Sequence, residues 1–148
     1  MEDEPSMSFC KEIVKNYDYS SLKRPVYVIQ EHHATKLHWD LGFELDQTLK
    51  SWALPNEPPQ KIGEKRLAVS VGDHPVEYAL FEGDIPKGNT GAGKVRTWDK
   101  GAFEILENTA KKLVMHIHGS RLQGKYCLVH FEPEGKNWLF FKLRFDSV

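Results

Sequence analysis

The chain has 148 residues, of which 40% are hydrophobic, so it is long enough to form one globular domain around a buried core. Its formal net charge of −1 excludes a globally basic surface, so any contact with nucleic acid must be local. No apolar run approaches membrane-spanning length and the first residues are acidic, unlike a signal peptide, so we expect a cytoplasmic protein without membrane contact. Cys10 and Cys127 have no metal or redox spacing and are expected to be free thiols, with a disulfide as the alternative.

The N-terminal region is predicted to contain one short helix. Residues 1–7 are expected to be a frayed tail, and residues 8–16 combine a capping Ser8 with apolar residues at helical spacing. The pattern changes to β at residue 25. We therefore expect residues 1–24 to form a tail and helix, and residues 25–148 to form a β domain.

From residue 25 onward the chain has the pattern of short β-strands. Runs of β-branched and aromatic residues alternate with clusters of turn-forming residues. The predicted strands are residues 26–30, 37–45, 49–54, 66–71, 76–81, 94–98, 103–106, 113–118, 126–131 and 138–145. An open sheet of this many strands would leave long unpaired edges, whereas a closed barrel removes them. We therefore predict a mainly β fold: a closed or nearly closed antiparallel β-barrel of about eight strands with a short N-terminal helix.

Three connections carry residues of interest. Asp73-His-Pro75 and Asp99-Lys-Gly101 are predicted to be tight turns. Residues 83–93 form a glycine-rich loop, but they lack the Gly-Lys-Ser/Thr ending and the following helix of a phosphate-binding P-loop. We interpret this loop as a structural crossover, in which Lys87 and Lys94 could still contact a phosphate.

Residues 37–45 alternate with a period of two, which places His38 and Asp40 together on the polar face of a strand. The two side chains are then roughly 6 to 7 Å apart along the strand and can reach one ion. His32 lies just upstream and can complete a set of two imidazoles and one carboxylate, which suits manganese, iron or zinc. His33 has the opposite parity and is left out. A hydrogen-bonded pair of His38 and Asp40 on a solvated face is the alternative.

A second group is His74, in its predicted turn, and Tyr78, four residues later. Such a pair can orient a phosphate or deliver a proton, although a turn and a strand would explain the same residues. Scattered basic residues on strand-like segments could add a local anion site. These residues are Lys50, Arg66, Arg96, Lys142 and Arg144. His116 and His118 share a strand face without a neighbouring carboxylate, and we expect them at the surface or the core edge.

Taken together, these motifs resemble the 3′-phosphoesterase domain of bacterial DNA ligase D, which also occurs as separate bacterial and archaeal proteins. The resemblance runs in order over about residues 25–145. It rests on Tyr27-Val-Ile-Gln-Glu-His32, Leu37-His-Trp-Asp40, Leu49-Lys-Ser-Trp-Ala-Leu-Pro55, Asp73-His-Pro75, Glu77-Tyr-Ala79, Phe81-Glu-Gly83, Gly91-Ala-Gly93, Trp98-Asp99 and Asn137-Trp-Leu139. It implies a β-barrel enzyme that removes a terminal ribonucleoside from a 3′ end, leaving a 3′-phosphate, and that removes 3′-phosphates.

The resemblance also implies roles for individual residues. It assigns metal binding to His32, His38 and Asp40, with Mn²⁺ as the cofactor and Zn²⁺ or Co²⁺ as alternatives. It assigns phosphate binding or transition-state contact to His74 and Tyr78, so that all five residues are catalytic. The implied partners are nucleic acid 3′ ends and a DNA ligase or polymerase, and the protein is expected to be a monomer.

Two departures from the family pattern weaken the expected phosphate clamp. Gly42 stands where the family usually has an arginine that contacts the phosphate, and Gly72 stands where it usually has a glutamate. Losing a fixed guanidinium at developing phosphate charge typically costs about 10² to 10³ in rate. Lys50 or Arg96 is the predicted substitute for the missing arginine, and both are therefore candidate phosphate ligands.

Two further functions remain open at this point. The first is a catalytically weak or inactive module of the same fold that binds 3′ ends or phosphates. The second, less favoured, is a non-haem iron oxygenase in which His38, Asp40 and His74 form a facial triad.

Overall fold

The structure is a computed structural model that describes residues 4–144. Within that range it contains one α-helix, α1 (Met7–Val14), and one 3₁₀ helix (Val76–Leu80). The strands are β1 Val26–His33, β2 Leu37–Leu45, β3 Thr48–Leu54, β4 Lys65–His74, β5 Gly83–Ile85, β6 Gly93–Asn108, β7 Lys112–His118, β8 Gln123–His130 and β9 Asn137–Lys142. Neither of the helices in this range is long and apolar enough to cross a membrane.

Eight of the strands close into an antiparallel barrel in the order β1-β2-β3-β4-β9-β8-β7-β6. The ring closes because the sixteen residues of β6 are long enough to pair with both β1 and β7; Ala102 lies opposite Val26 on one side and His118 on the other. The short β5 pairs only with the start of β6 and lies outside the ring. This confirms the predicted mainly β, closed barrel with a short N-terminal helix.

The barrel wall has two differently used faces because neighbouring side chains along a strand point in opposite directions. Along β1, Tyr27 and Ile29 belong to the apolar core inside the barrel. The intervening residue, Val28, packs instead on the outer face with Val76 and Ala79 of the 3₁₀ helix. The outer face of the first strands is therefore covered by other elements rather than by solvent.

A second outer cluster is formed by α1. Cys10 and Val14 on the apolar side of this helix pack against Tyr78, Phe81 and Val95. The helix begins two residues earlier than a cap at Ser8 would give, because Ser6 is the N-cap and its Oγ accepts a hydrogen bond of 3.1 Å from the amide of Phe9.

The predicted frayed tail is wrong for residues 4–7. Glu4 is only 8% exposed and Met7 is already helical. The prediction for residues 1–3 lies outside the described residues, as does the predicted end of the last strand at residue 145. The error arises because the docking of this segment depends on contacts with distant strands, which local composition does not report.

The predicted strand at residues 76–81 is also wrong, since Val76–Leu80 forms a 3₁₀ helix. The amide of Tyr78 donates to the Pro75 carbonyl at 2.9 Å, and the amide of Phe81 donates to the Tyr78 carbonyl at 3.0 Å. Valine, tyrosine and phenylalanine favour strands, so composition pointed to the wrong element. Burial against the barrel and α1 outweighs that preference.

Two predicted turns lie within strands. β4 continues through Asp73 and His74, and β6 runs without a break through residues 99–101. At Gly101 a Cβ atom would lie 2.1 Å from the carbonyl oxygen of His118, so glycine is required there by close strand packing rather than by a turn.

Candidate metal centre

The centre is built on the outer face of the β1–β2 hairpin. His32 and His38 lie directly opposite each other in the antiparallel register, and their ring centroids are 4.7 Å apart. Asp40 follows His38 by two residues and therefore lies on the same face. His33 has the opposite parity, and its Nε2 lies 2.6 Å from the carboxylate of Glu31. The hairpin thus gathers the three predicted metal-binding residues and separates His33 from them.

Each of the two histidines is oriented by a backbone carbonyl. His32 Nε2 donates to the Gly91 carbonyl at 2.7 Å, and His38 Nδ1 donates to the Lys36 carbonyl at 3.1 Å. Gly91 has φ of 81°, which glycine adopts without strain. With these N–H groups engaged, the remaining nitrogen of each neutral ring carries a lone pair. Metal-binding histidines typically show this arrangement.

Both free lone pairs face carboxylate oxygens. His32 Nδ1 lies 3.1 Å from Asp40 Oδ2, and His38 Nε2 lies 3.1 Å from Asp40 Oδ1. Glu4 approaches from the N-terminal segment, with Oε2 2.8 Å from His38 Nε2. The ligand atoms of these four residues all lie within 4.8 Å of one another. Four electron-pair donors that converge in this way favour positive charge between them, either a proton on a histidine or a metal ion, so the donor set fits a divalent metal.

The close approach of these nitrogen and oxygen atoms also shifts the pKa values of the residues that carry them. Burial alone would lower the pKa of His38, but its contacts with Asp40 and Glu4 outweigh burial and raise that pKa to about 11. Burial likewise opposes the charged form of Asp40, yet its contacts with His32 and His38 hold its pKa well below the usual range. Burial and the neighbouring charge of Asp40 raise the pKa of Glu4. The cluster therefore attracts positive charge.

His74 lies beside the centre at the end of β4. Its Nδ1 is 2.9 Å from Ser51 Oγ, and the Ser51 hydroxyl donates to the Leu49 carbonyl at 3.1 Å, so Nδ1 is the donor in the contact. Nε2 makes no well-aligned hydrogen bond in the described chain, although the Pro5 carbonyl is near enough to favour the charged form. Burial nevertheless lowers the pKa of His74.

Tyr78 stacks on His74 with ring centroids 5.2 Å apart, and it is placed there by the 3₁₀ helix. Burial is the main cause that raises the pKa of Tyr78, so its phenol stays protonated and remains a hydrogen-bond donor. The structure therefore brings His74 and Tyr78 together at the edge of the four-residue cluster.

The two predicted substitutes for the missing arginine are not brought to the cluster. Lys50 lies opposite Phe43, whose ring is in the barrel core, and its Nζ pairs with Asp73 at 2.9 Å. Arg96 lies opposite Glu31 in the β1–β6 pair and is exposed. Both side chains therefore lie on a different face of the wall from the cluster.

The space beside Gly42 is filled by an apolar side chain. Gly42 lies opposite Ser51 and two residues after Asp40, on the face of the cluster. A Cβ atom at Gly42 would lie 2.8 Å from Leu49 Cγ. At Gly72, by contrast, a Cβ atom would meet nothing within 4 Å. A side chain at position 42 would therefore have to displace Leu49.

The four-residue cluster also differs from the facial triad that the oxygenase hypothesis requires. His38 and Asp40 are joined by His32 and Glu4, and His74 does not belong to the group. Sequence reasoning missed Glu4, because a glutamate in an acidic, apparently unstructured tail has no local feature that marks it as a ligand. Ser51 and the Gly91 carbonyl were missed for the same reason.

Known proteins share this combination of sequence features. Residues 30–130 match the family described as DNA Ligase D 3′-phosphoesterase domain. The chain is 41% identical over 129 residues to the multifunctional non-homologous end joining protein LigD of Mycolicibacterium smegmatis, and 42% identical over 123 residues to that of Pseudomonas aeruginosa. Each match covers 80% of this chain but only 17% and 15% of the respective relative.

Proposed function

Because the chain belongs to the DNA ligase D 3′-phosphoesterase domain family, we propose that it is a metal-dependent phosphoesterase that heals nucleic acid 3′ ends. The proposed reactions are removal of a terminal ribonucleoside to leave a 3′-phosphate and removal of the 3′-phosphate to leave a hydroxyl. The observation that carries the proposal is the convergence of two imidazole lone pairs with the Asp40 carboxylate, each ring being oriented by a backbone carbonyl.

His32, His38 and Asp40 hold the divalent ion in this proposal. Their nitrogen and oxygen donors suit Mn²⁺, with Zn²⁺ or Co²⁺ as alternatives. When bound, such an ion polarises a phosphoryl oxygen and lowers the pKa of an attacking water. The chain's own contribution is to fix the donors before substrate arrives, since the Gly91 and Lys36 carbonyls orient both rings.

His74 and Tyr78 orient the phosphate in this proposal. Ser51 accepts from Nδ1 of His74, so Nε2 is left for a phosphate oxygen, to which it donates in the protonated form of the ring. The Tyr78 phenol keeps its proton, and its ring supports the His74 ring by stacking. Together they supply hydrogen-bonding groups at the place where negative charge develops.

A matched pair of histidine variants tests the proposal. The substrates are a 3′-phosphorylated DNA strand and a DNA strand that ends in one ribonucleotide, each incubated with Mn²⁺ and resolved by gel electrophoresis. His32→Ala should reduce product formation to background. His33→Ala changes the neighbouring histidine, which is 45% exposed and faces Glu31, so its rate should stay within about twofold of the parent rate. Absence of end processing by the parent protein, although Mn²⁺ binds, would reject the proposal.

A second candidate, a weakly active or inactive module that binds 3′ ends, is favoured by one observation. Leu49 fills the space beside Gly42, where the family places an arginine. Since Gly42→Arg would bring its Cβ within 2.8 Å of Leu49 Cγ, the informative variant combines Gly42→Arg with Leu49→Ala. A gain of about 10² to 10³ in rate relative to Leu49→Ala alone would show that the absence of an arginine at position 42 limits the rate. No gain would show that position 42 does not limit the rate.

The biological setting is also a proposal. The relatives are named multifunctional end joining proteins, and this chain spans about a sixth of their length. We infer that it acts in DNA repair on 3′ ends that a DNA ligase or polymerase then uses, and that it works as a monomer. The division into an N-terminal part, 1–24, and a phosphoesterase unit, 25–148, stays a prediction.

A further inference from the structure

Glu4 reaches the metal centre from outside the barrel strands. Its side chain is 6% exposed, and Oε2 lies 2.8 Å from His38 Nε2 and 4.0 Å from His32 Nδ1. The residue belongs to the short segment that precedes α1. This segment, Glu4-Pro5-Ser6, is called the strap below.

The strap is held in place by the helix that follows it. Ser6 caps α1, and the Cys10 amide donates to the Ser6 carbonyl at 3.0 Å. The apolar side of α1 then packs on Tyr78, Phe81 and Val95 of the barrel cover. Docking of α1 therefore fixes the end of the strap at Ser6, and this places the Glu4 carboxylate at the centre.

The position of Glu4 requires positive charge nearby, supplied either by a proton on His38 or by a bound metal ion. Its carboxylate is buried beside the Asp40 carboxylate, and both face ring nitrogens of His32 and His38. Two buried carboxylates repel each other, and burial of such a pair is costly unless positive charge lies between them. A bound divalent ion supplies that charge, and a glutamate oxygen is one of its preferred ligands.

We propose that Glu4 is a fourth protein ligand of the metal centre, supplied by the strap. This inference rests on the proposed function for the presence of the metal. It adds a ligand from outside the barrel to the His32, His38 and Asp40 set, and it couples metal binding to docking of the N-terminal segment.

Glu4 also blocks the path of the substrate. Its second oxygen, Oε1, lies 3.9 Å from His74 Nε2, so the carboxylate spans from the metal-binding residues to the phosphate-orienting histidine. A substrate phosphate must occupy this same space in the proposed reaction. His32, His38 and His74 are all at most 2% exposed. The phosphate therefore replaces the Glu4 carboxylate, and the strap moves away when substrate binds.

Mn²⁺ affinity is the first measurement. Electron paramagnetic resonance of free Mn²⁺ gives the dissociation constant of the unliganded protein without any need for turnover. Glu4→Gln should weaken binding by at least about 10-fold, the smaller loss typical even for an outer partner of a metal ligand. The matched control is Glu12→Gln, which removes an exposed carboxylate from the same N-terminal region and should leave the affinity unchanged.

Thiol labelling of Cys10 is the second measurement. Cys10 is fully buried on the side of α1 that packs on the barrel, so a thiol reagent reaches it only when the N-terminal segment lifts. Mn²⁺ at 100 times its dissociation constant should slow this labelling by up to about 100-fold in the parent protein. Glu4→Gln should lose the protection. Cys127, which is buried in β8, is the internal control because its labelling should not respond to Glu4.

Inorganic phosphate is the third probe. If a strap that is closed about nine-tenths of the time excludes phosphate, opening it improves the apparent affinity by about 10-fold. Glu4→Gln saturated with Mn²⁺ should therefore bind phosphate more tightly than the Mn²⁺-saturated parent.

The outcomes separate the two proposals. Equal Mn²⁺ affinity of Glu4→Gln and parent, with no Mn²⁺ protection of Cys10, overturns the role of Glu4 and leaves the proposed function standing. Absence of Mn²⁺ binding by the folded parent overturns both. Weaker Mn²⁺ binding in Glu4→Gln, together with lost protection of Cys10, supports the fourth ligand; weaker phosphate binding in that variant would overturn the strap as a block to substrate.

Discussion

Asp40 and Asp99 are two buried aspartates with opposite surroundings. Asp99 is 4% exposed, and each of its oxygens accepts two hydrogen bonds. Oδ1 accepts from the amides of Ser120 at 2.8 Å and Arg121 at 3.0 Å, and Oδ2 accepts from the Tyr27 hydroxyl at 2.8 Å and the Leu122 amide at 2.9 Å. Every partner is a hydrogen-bond donor. Both oxygens of this carboxylate therefore have hydrogen-bond partners within the protein, and the role of Asp99 is structural.

Asp40 is 7% exposed and faces two imidazole nitrogens instead. Its nearest neighbours are the nitrogens of His32 and His38 whose partner N–H groups are already engaged by backbone carbonyls. Oδ1 makes no well-aligned hydrogen bond in the described chain. Burial is similar for the two aspartates, so the kind of partner, rather than burial, distinguishes the structural carboxylate of Asp99 from the carboxylate of Asp40 in the candidate metal centre.

The largest expected effect comes from Asp40→Asn. The amide keeps the shape of the carboxylate but removes its charge, so Mn²⁺ binding should be lost and turnover should fall by about 10³-fold or more, the equivalent of several kcal/mol of metal catalysis. Mn²⁺ titration and steady-state kinetics of the same preparation check this; retention of Mn²⁺ binding would contradict a metal role for Asp40.

The opposite pattern is expected for Asp99→Asn. The new amide NH₂ would face backbone amides that need an acceptor, so the free energy of unfolding should fall by about 2 to 4 kcal/mol. The Mn²⁺ affinity of the folded fraction should not change, because Asp99 lies in a separate cluster at another part of the barrel. Urea unfolding with and without Mn²⁺ measures both quantities. Equal stability of this variant and the parent would contradict the structural role.

Ser51→Ala should affect turnover without affecting metal binding. Ser51 fixes Nδ1 of His74, so its loss should lower the rate by about 10- to 100-fold, as for other groups that orient a functional side chain. Mn²⁺ affinity should remain unchanged because Ser51 is not one of the four clustered residues. Ser70→Ala, on the neighbouring strand opposite Trp52, is the control and should keep the parent rate. Steady-state kinetics with both substrates provide the comparison.

The smallest effect is expected at Glu44, which lies on β2 with Asp40. Hydrogen bonds from Arg24, and one of 2.9 Å from the Val26 amide, lower the pKa of Glu44 in the folded state. Its contribution to stability is therefore present above the unfolded pKa of 4.5 and is lost as the pH falls through the lower folded value. Arg24 is 59% exposed, so solvent screening limits the contribution to less than about 1 kcal/mol at pH 7.

Denaturant unfolding at two pH values measures this contribution. Glu44→Gln should be slightly less stable than the parent at pH 7 and equally stable at a pH below the folded pKa. A larger loss at low pH than at pH 7 would have the wrong sign for a group whose folded pKa is depressed.

Much of the barrel and part of the centre could be predicted without coordinates. The period of two in residues 37–45 predicts that His38 and Asp40 share one face and that Leu41 and Phe43 lie on the other, because side-chain direction along a strand depends only on the local backbone. Frequent turn residues between short apolar runs similarly predict a closed β fold.

Other features required the folded chain. Residues 76–81 have strand composition but form a 3₁₀ helix, since their burial between barrel and α1 outweighs the local preference. Lys50 was a reasonable phosphate ligand by charge, but its register opposite Phe43 turns it away from the cluster. Residues 99–101 resemble a turn, yet closure of the barrel keeps them in β6.

The sequence by itself determined the hairpin that carries His32, His38 and Asp40, because strand alternation is a local property. Only the tertiary structure decided that Glu4 joins them, that His74 and Tyr78 lie beside them, and that the whole centre is covered. Those arrangements depend on packing between segments that are far apart in the chain, and no local pattern encodes which distant surfaces meet.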